Sequence, residues 1–175
     1  FFDGNFYLQN GGNFLRYSEL GDLQETIPSG WDNVGANTQG DGIQFDVGQN
    51  IIAVANAHSR QGSRNKGYFY TLEKDNSGNW IKSPSIEVGV LAHGVKIDHS
   101  DNSIYVSGEG SSGGDGFGGG SSGGDGFVAK FIKNGQGEWE QSWFKSDPDS
   151  YEFYKLDITP DSQILVAGRT GSGGY

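Results

Sequence analysis

Tyr68 to Trp80 reads YFYTLEKDNSGNW, and Phe127 to Trp139 reads FVAKFIKNGQGEW, in register at a spacing of 59 residues. Each is an alternating strand, then a polar turn containing Gly, then a Trp that opens a second strand. Alternation of apolar and polar residues marks a half-buried strand. Asn, Asp and Gly between two such runs mark a hairpin turn. The reading of these two stretches as hairpins decides the fold, because other hairpins lie between and beyond them.

Gly42 to Asn56 (GIQFDVGQNIIAVAN), Gly94 to Gly108 (GVKIDHSDNSIYVSG) and Lys155 to Gly168 (KLDITPDSQILVAG) form a second hairpin type, 52 and then about 60 residues apart. Their apolar pairs are Ile43/Phe45, Val95/Ile97 and Leu156/Ile158, and each second strand ends in a small residue. A degenerate copy of the first type is read at Phe6 to Phe14, FYLQNGGNF. With the strands of one unit lettered A to D, the chain runs C-D, A-B, C-D, A-B, C-D, A-B. That is three repeat units, offset by half a blade. Four antiparallel strands in roughly 50–60 residues make one propeller blade, which must stack on others to bury both faces. A sandwich of hairpins is the competing reading, and regular A-B-C-D repetition favours the propeller. The expected fold is all-β, with β-propeller-type blades of four antiparallel strands. Residues 1–175 are expected to be a single β-propeller domain or part of a larger one. Its units would be 40–91, 92–152 and 153–175 plus 1–39. The N-terminal FYLQNGGNF would supply the C-D strands to Lys155–Gly168, removing exposed edges.

The stretches GFVAKFIKNGQGEWEQSWF and FYKLDITPDSQILVAGRTGS resemble the bacterial β-propeller repeat known as SBBP. GDGIQFDVGQNIIAVANAHS with GYFYTLEKDNSGNW resembles the FG-GAP type of propeller repeat. The resemblance covers residues 40–175 well and 1–39 poorly. It implies a propeller, and it implies no particular activity, since one fold hosts many functions. FG-GAP blades carry an Asp-x-Asp-x-Asp-Gly calcium loop, whereas the corresponding turns at Asp98 and Thr159 are thin in carboxylates. Propellers typically have at least four blades. The three units here therefore imply a piece of a longer protein, two chains in one ring, or a smaller ring.

Composition narrows the function classes. The chain has 175 residues, 31 of them Gly, no Cys and no Met, and a net charge of -10. Twelve Lys and Arg against 22 Asp and Glu leave no basic stripe for a phosphate backbone, so nucleic acid is not an expected partner. No apolar run approaches the roughly 18 residues of a membrane span. Without Cys there is no disulfide, thiolate nucleophile or Cys zinc site. The missing Met implies a removed leader or part of a longer chain. An acidic chain rich in Gly, Ser and Asn suits an extracellular or cell-surface protein.

Function in a propeller sits on the loops, mainly B to C and D to A. The B-to-C loops are read as Asn56–Lys66 and Glu109–Gly126, and the D-to-A loops as Tyr17–Gly40, Ser83–Ala92 and Phe144–Phe153. SSGGDGF occurs twice, at Ser111–Phe117 and Ser121–Phe127. Asp115 and Asp125 in that loop, and Asp147 and Asp149 beside Glu152, are the candidate oxygen ligands for Ca²⁺. A Gly/Ser insertion and a solvated turn are the plainer readings of the two. Trp31, outside the repeat frame, is a plug over the core or a platform for a sugar ring. Arg60 and Arg64, with Lys66, could meet a uronic acid or sulfate. His58, His93 and Glu109 complete the candidate ligand-binding set. No HExxH and no GxSxG occurs, so no catalytic residue is assigned. The expected function is an exported, non-catalytic binding or structural module presenting loops to a glycan, a surface or other copies of itself. The alternatives are a propeller hydrolase or lyase acting on polysaccharide, and a subunit of an extracellular fibre or sheath.

Overall fold

The computed structural model describes residues 2–10, 12–29, 43–61, 64–110 and 124–170, the side chains at 57–65 excepted. These residues form fourteen strands and no helix, so the fold is all-β. The first sheet holds β1 (Asn5–Asn10), β2 (Asn13–Ser18) and β3 (Leu23–Pro28). The second holds β4 (Ile43–Gly48), β5 (Ile51–Gln61), β6 (Arg64–Lys74) and β7 (Trp80–Lys82), with β8 (Ile86–Gly89) also on β6. The third holds β9 (Leu91–Ile97), β10 (Ile104–Glu109), β11 (Gly126–Lys133) and β12 (Trp139–Asp147), and the last holds β13 (Ser150–Ile158) and β14 (Ile164–Thr170). Every pairing between these strands is antiparallel.

β7 meets β6 at Leu72–Lys74 and β8 meets it at Gly67–Phe69. The two are one outer strand, interrupted at Ser83–Ser85. Pro84 there has no N–H to give to a ladder. Ser83 keeps the local bonds closed: its Oγ accepts the Thr71 N–H at 2.9 Å, and its own N–H donates to the Thr71 carbonyl at 2.8 Å.

The sheets stack face to face in chain order. Phe14 and Ile27 of the first sheet pack with Val47, Ile52, Val54, Tyr70 and Leu72 of the second. The other face of the second sheet, with Ala53, Ala55 and Phe69, meets Val95, Val106, Phe127 and Phe131 of the third. Tyr105 and Val128 on the third sheet's far side meet Leu156. Successive side chains on a strand point to opposite faces, so one strand serves two interfaces.

Four connections share one five-residue turn. Ser18–Asp22, Asp75–Asn79, Asn134–Glu138 and Thr159–Gln163 each close with a first-to-fifth and a fourth-to-first backbone bond. The fourth residue has positive φ in each: Gly21 86°, Gly78 82°, Gly137 81° and Ser162 61°. This is the hairpin loop in which a left-handed residue rejoins the ladder.

Several expected boundaries differ. β3 lies inside the stretch expected to be the loop Tyr17–Gly40. The β2–β3 hairpin, with its turn SELGD, therefore matches DNSGN and NGQGE, and FYLQNGGNF does not. That first sheet stands by itself: among the described residues β1 and β2 pair with no strand of the last sheet. β5 and β6 run through the expected loop Asn56–Lys66, pairing Ser59 with Lys66 and Gln61 with Arg64. β12 and β13 leave only residues 148–149 between them, where a loop from Phe144 to Phe153 was expected. Polar strand ends carry no apolar alternation, so they read as loop.

A buried polar cluster as the candidate functional site

Opposite the five-residue turns, β9 and β13 begin and β10 and β14 end. Gly108 and Gly168 fix how closely these ends approach. A Cβ on Gly108 would lie 1.9 Å from the Leu91 carbonyl oxygen, and one on Gly168 would lie 2.0 Å from that of Glu152. Each Gly sits beside a ladder irregularity, at Ser107/Gly108 and at Phe153/Lys155. The small residue ending each second strand is therefore a requirement of backbone approach.

That approach gathers His93, Glu109, Glu152, Tyr154 and Arg169. His93 is 5% exposed, Glu152 4% and Glu109 8%. Buried charge is costly unless paired, and Glu152 is paired on both oxygens. Its Oε2 lies 3.1 Å from His93 Nε2. Its Oε1 accepts Arg169 Nε at 2.7 Å and the Tyr154 hydroxyl. Opposite an ionised carboxylate, which only accepts, Nε2 is the His93 nitrogen that would carry the proton. The Tyr154 ring leans on His93 with centroids 5.3 Å apart, and Arg169 lies 4.3 Å over the Tyr151 ring. Glu109 accepts the Gly124 N–H at 3.2 Å. Burial pushes its carboxyl above the ordinary value, and the charge of Glu152 adds to this against the pull of Gly124 and Arg169. The site thus has an enclosed floor of His93, Glu109 and Glu152. Its rim is Arg169, 58% exposed at the side chain, with Tyr151 and Tyr154.

Among the expected ligand-binding residues, His93 and Glu109 belong to this cluster. His58, Arg60 and Arg64 lie on the outer run of β5 and β6, at the same end of the sheets. Trp31 and Asp115 lie outside the described residues. Asp125 follows Gly124, and its carbonyl accepts the Gly110 N–H at 2.8 Å. Asp147 accepts the Asp149 N–H at 3.1 Å and the Ser150 hydroxyl at 2.7 Å, so its carboxylate caps its own turn. Glu152, expected beside Asp147 and Asp149, turns inward to His93 instead. Among the described residues no three His, Asp or Glu side chains stand close enough together to hold a metal ion. Lys66, grouped with the two Arg in sequence, bonds to Glu87 at 2.6 Å.

Sequence reasoning missed Tyr154 and Arg169. A usable signal was present. Aligning GVKID with KLDIT puts His93 opposite Tyr154, and aligning VSGE with VAGR puts Glu109 opposite Arg169. These positions flank the repeat and change chemistry between copies.

At the opposite end, a cavity of about 610 Å³ is lined by Phe2, Tyr7, Phe45, Lys96, His99 and Asp157. Lys96 lies 3.8 Å from Asp46 and 3.6 Å from Asp157. His99 stacks on Phe2 at 5.3 Å. The charges here neutralise one another across strands.

No protein-family model matches the chain, and no curated protein matches it. No helix among the described residues is long and apolar enough to cross a membrane.

Proposed function

We propose that the chain is a run of β-propeller blades, SBBP-like in its repeat, that acts outside the cell as a glycan-binding module. The blade reading is supported by the innermost strands. Lys96 of β9 reaches Asp46 of β4 and Asp157 of β13, and Lys155 of β13 donates to Gln44 of β4 at 2.6 Å. Strands two sheets apart thus meet on one side of the stack. A stack curved about an axis does this, and a flat sandwich does not.

The observation that carries the binding reading is the enclosed His93–Glu109–Glu152 floor beneath the Arg169, Tyr151 and Tyr154 rim. Carboxylates and an imidazole in a partly dry setting bind hydroxyls strongly, and tyrosine faces suit the C–H faces of a sugar ring. The long connections of the sheets leave from this end. A panel of neutral and acidic oligosaccharides, read by calorimetry, tests it. Binding lost in Arg169→Ala supports the site. A panel with no binder for a folded protein overturns it.

The enzymatic reading has one observation behind it: two buried carboxylates and a His in one cluster, one carboxyl raised above its ordinary value. Such groups serve as acid and base in polysaccharide cleavage. Release of reducing or unsaturated ends, abolished in Glu109→Gln, would establish this reading. Inertness towards every bound oligosaccharide would leave a lectin-like module.

A further inference from the structure

We propose that the cavity of about 610 Å³ at the turn end is a second binding site, one that takes a small organic ammonium ion. It lies at the other end of the sheets from the proposed glycan site and does not rest on that reading.

The outer strands of this end close their charges on one another. Trp80 and Trp139 Nε1 donate to Glu25 and Glu73 at 2.8 and 2.9 Å, and Lys74 and Lys133 join the same acids. The inner strands make their own contact once and then lose it. Asp46 of β4 accepts the Ile97 N–H of β9 through Oδ2 at 2.9 Å, which ties the second sheet to the third. Aligning GIQFD with GVKID and KLDIT puts Asp98 in the place of Asp46, and Ile158 in that of Ile97. Repetition would bring the Ile158 N–H to Asp98. That N–H goes instead to Asp157 Oδ1 at 3.0 Å.

Asp98 is therefore 8% exposed with its side-chain bonds on one oxygen. Oδ1 accepts the Ser100 N–H at 2.9 Å and the Ser100 hydroxyl at 2.6 Å. Among the described residues nothing donates to Oδ2. A carboxylate oxygen drawn out of water without a donor is costly, and Asp98 lines the cavity.

The lining says what would satisfy it. Asp46, Asp98 and Asp157 stand against one lysine, Lys96, so the neutralisation across strands is incomplete. Lys96 lies 3.8 Å from Asp46 and 3.6 Å from Asp157. Both exceed the roughly 2.7–2.9 Å of a charge-assisted hydrogen bond. The walls are aromatic: Phe2 stacks on His99 with centroids 5.3 Å apart, and Tyr7 and Phe45 also line the space. Aromatic faces attract organic cations. A metal ion needs several close ligands, and among the described residues no three His, Asp or Glu side chains stand close enough together to hold one. An ammonium needs less: one carboxylate oxygen, an aromatic wall, and room for its apolar body. The volume falls in the range of small-molecule sites. Asp98 is the seat for the ammonium, and the Phe2–His99 pair for the body.

Benzylammonium, benzyl alcohol and benzoate share one body and differ in charge. Each is titrated into the full chain by calorimetry, with the imidazole resonances followed by NMR. The chain has three His, so His99 can be told from His58 and His93. The expected result is that benzylammonium binds, the alcohol binds at least about tenfold more weakly, and benzoate does not bind. Only the His99 resonance should shift. Asp98→Asn keeps an acceptor for Ser100 and removes the charge, and should weaken benzylammonium about tenfold or more. Lys96→Met removes the competing cation and should tighten binding; its exposed position keeps this test available if Asp98→Asn fails to fold. No binding of benzylammonium overturns the proposal, as does equal binding of the alcohol, unchanged affinity in folded Asp98→Asn, or weaker binding in Lys96→Met. A shift at His93 in place of His99 overturns it too. So does displacement of benzylammonium by Ca²⁺, since the site would then be a metal's.

Discussion

Glu73 and Glu109 are both carboxylates drawn out of water, and the protein holds them in opposite directions. At the turn end, burial alone would raise Glu73, yet bonds from Lys133, Thr71 and Trp139 hold it below its ordinary value. At the other end, Glu109 has one backbone N–H and a negative neighbour, and burial holds it above. The turn end repeats: four turns of one form, and two Lys–Trp pairs on two acids. The other end does not repeat, because His93 faces Tyr154 and Glu109 faces Arg169 in the alignment of units. Where the repeat is kept, each buried charge has its partners. Where it is broken, a buried carboxyl is left with fewer partners, as the proposed binding site would require.

The largest effect that would test this contrast is Trp139→Ala. It removes a packed indole and leaves Glu73 with fewer donors, so the expected loss is about 3 kcal/mol in urea unfolding. Oligosaccharide binding should be unchanged. If binding falls with stability, the two ends are not separable. Gly168→Ala probes the other end. Its Cβ would meet the Glu152 carbonyl oxygen at 2.0 Å, so the expected cost is about 1–3 kcal/mol. Glu152 should be displaced from His93, which a changed His93 imidazole resonance in NMR would report. An unchanged resonance would mean that the Gly does not set the site.

The pH dependence sharpens the same comparison through its sign. Glu73 is lowered in the fold, so below its ordinary value the unfolded chain binds more protons. Its contribution is full above that value and is lost as the pH falls through the lowered one. Glu109 is raised, so between its ordinary and its folded value the folded protein binds more protons. Stability from this group is full at the acid end of that window and declines as the pH rises through it. In unfolding measured from pH 3 to 7, Glu73→Gln should flatten the acid limb. Glu109→Gln should remove a decline that begins at the ordinary carboxylate value, and should raise stability at pH 7. Two variants with limbs of the same sign would erase the contrast.

How much of this was legible depends on the range of the forces. The hairpins at 43–56, 94–108 and 155–168 were legible because turn residues and alternation are local. The β2–β3 hairpin was not found, although SELGD carries its Gly where DNSGN and NGQGE do. The strands beside it, FLRYS and LQETI, mix polar and apolar residues, and the Gly-Gly of FYLQNGGNF drew the assignment instead. His93 and Glu109 were picked out as single residues. Their partner Glu152 was read with its neighbours Asp147 and Asp149, because sequence proximity is visible and an approach across 59 residues is not. Arg169 joins the site only through the Gly168 pinch, a backbone contact that residue chemistry alone does not announce.

The smallest effect concerns a polar group that neither end has matched. Tyr70 is 5% exposed between the first and second sheets, and burial pushes its hydroxyl up to about 12. Its oxygen has no hydrogen-bond partner among the described residues, while its ring lies 4.8 Å beneath the Lys82 ammonium. An unpaired buried hydroxyl costs desolvation and returns nothing. The ring supplies the packing and the cation contact, and Phe supplies both equally. Tyr70→Phe should therefore leave stability within about 0.5 kcal/mol or raise it. A loss above about 1 kcal/mol in urea unfolding would show that the hydroxyl has a partner in solution, and the first interface would then hold a polar contact besides those of Trp80 and Lys74 with Glu25.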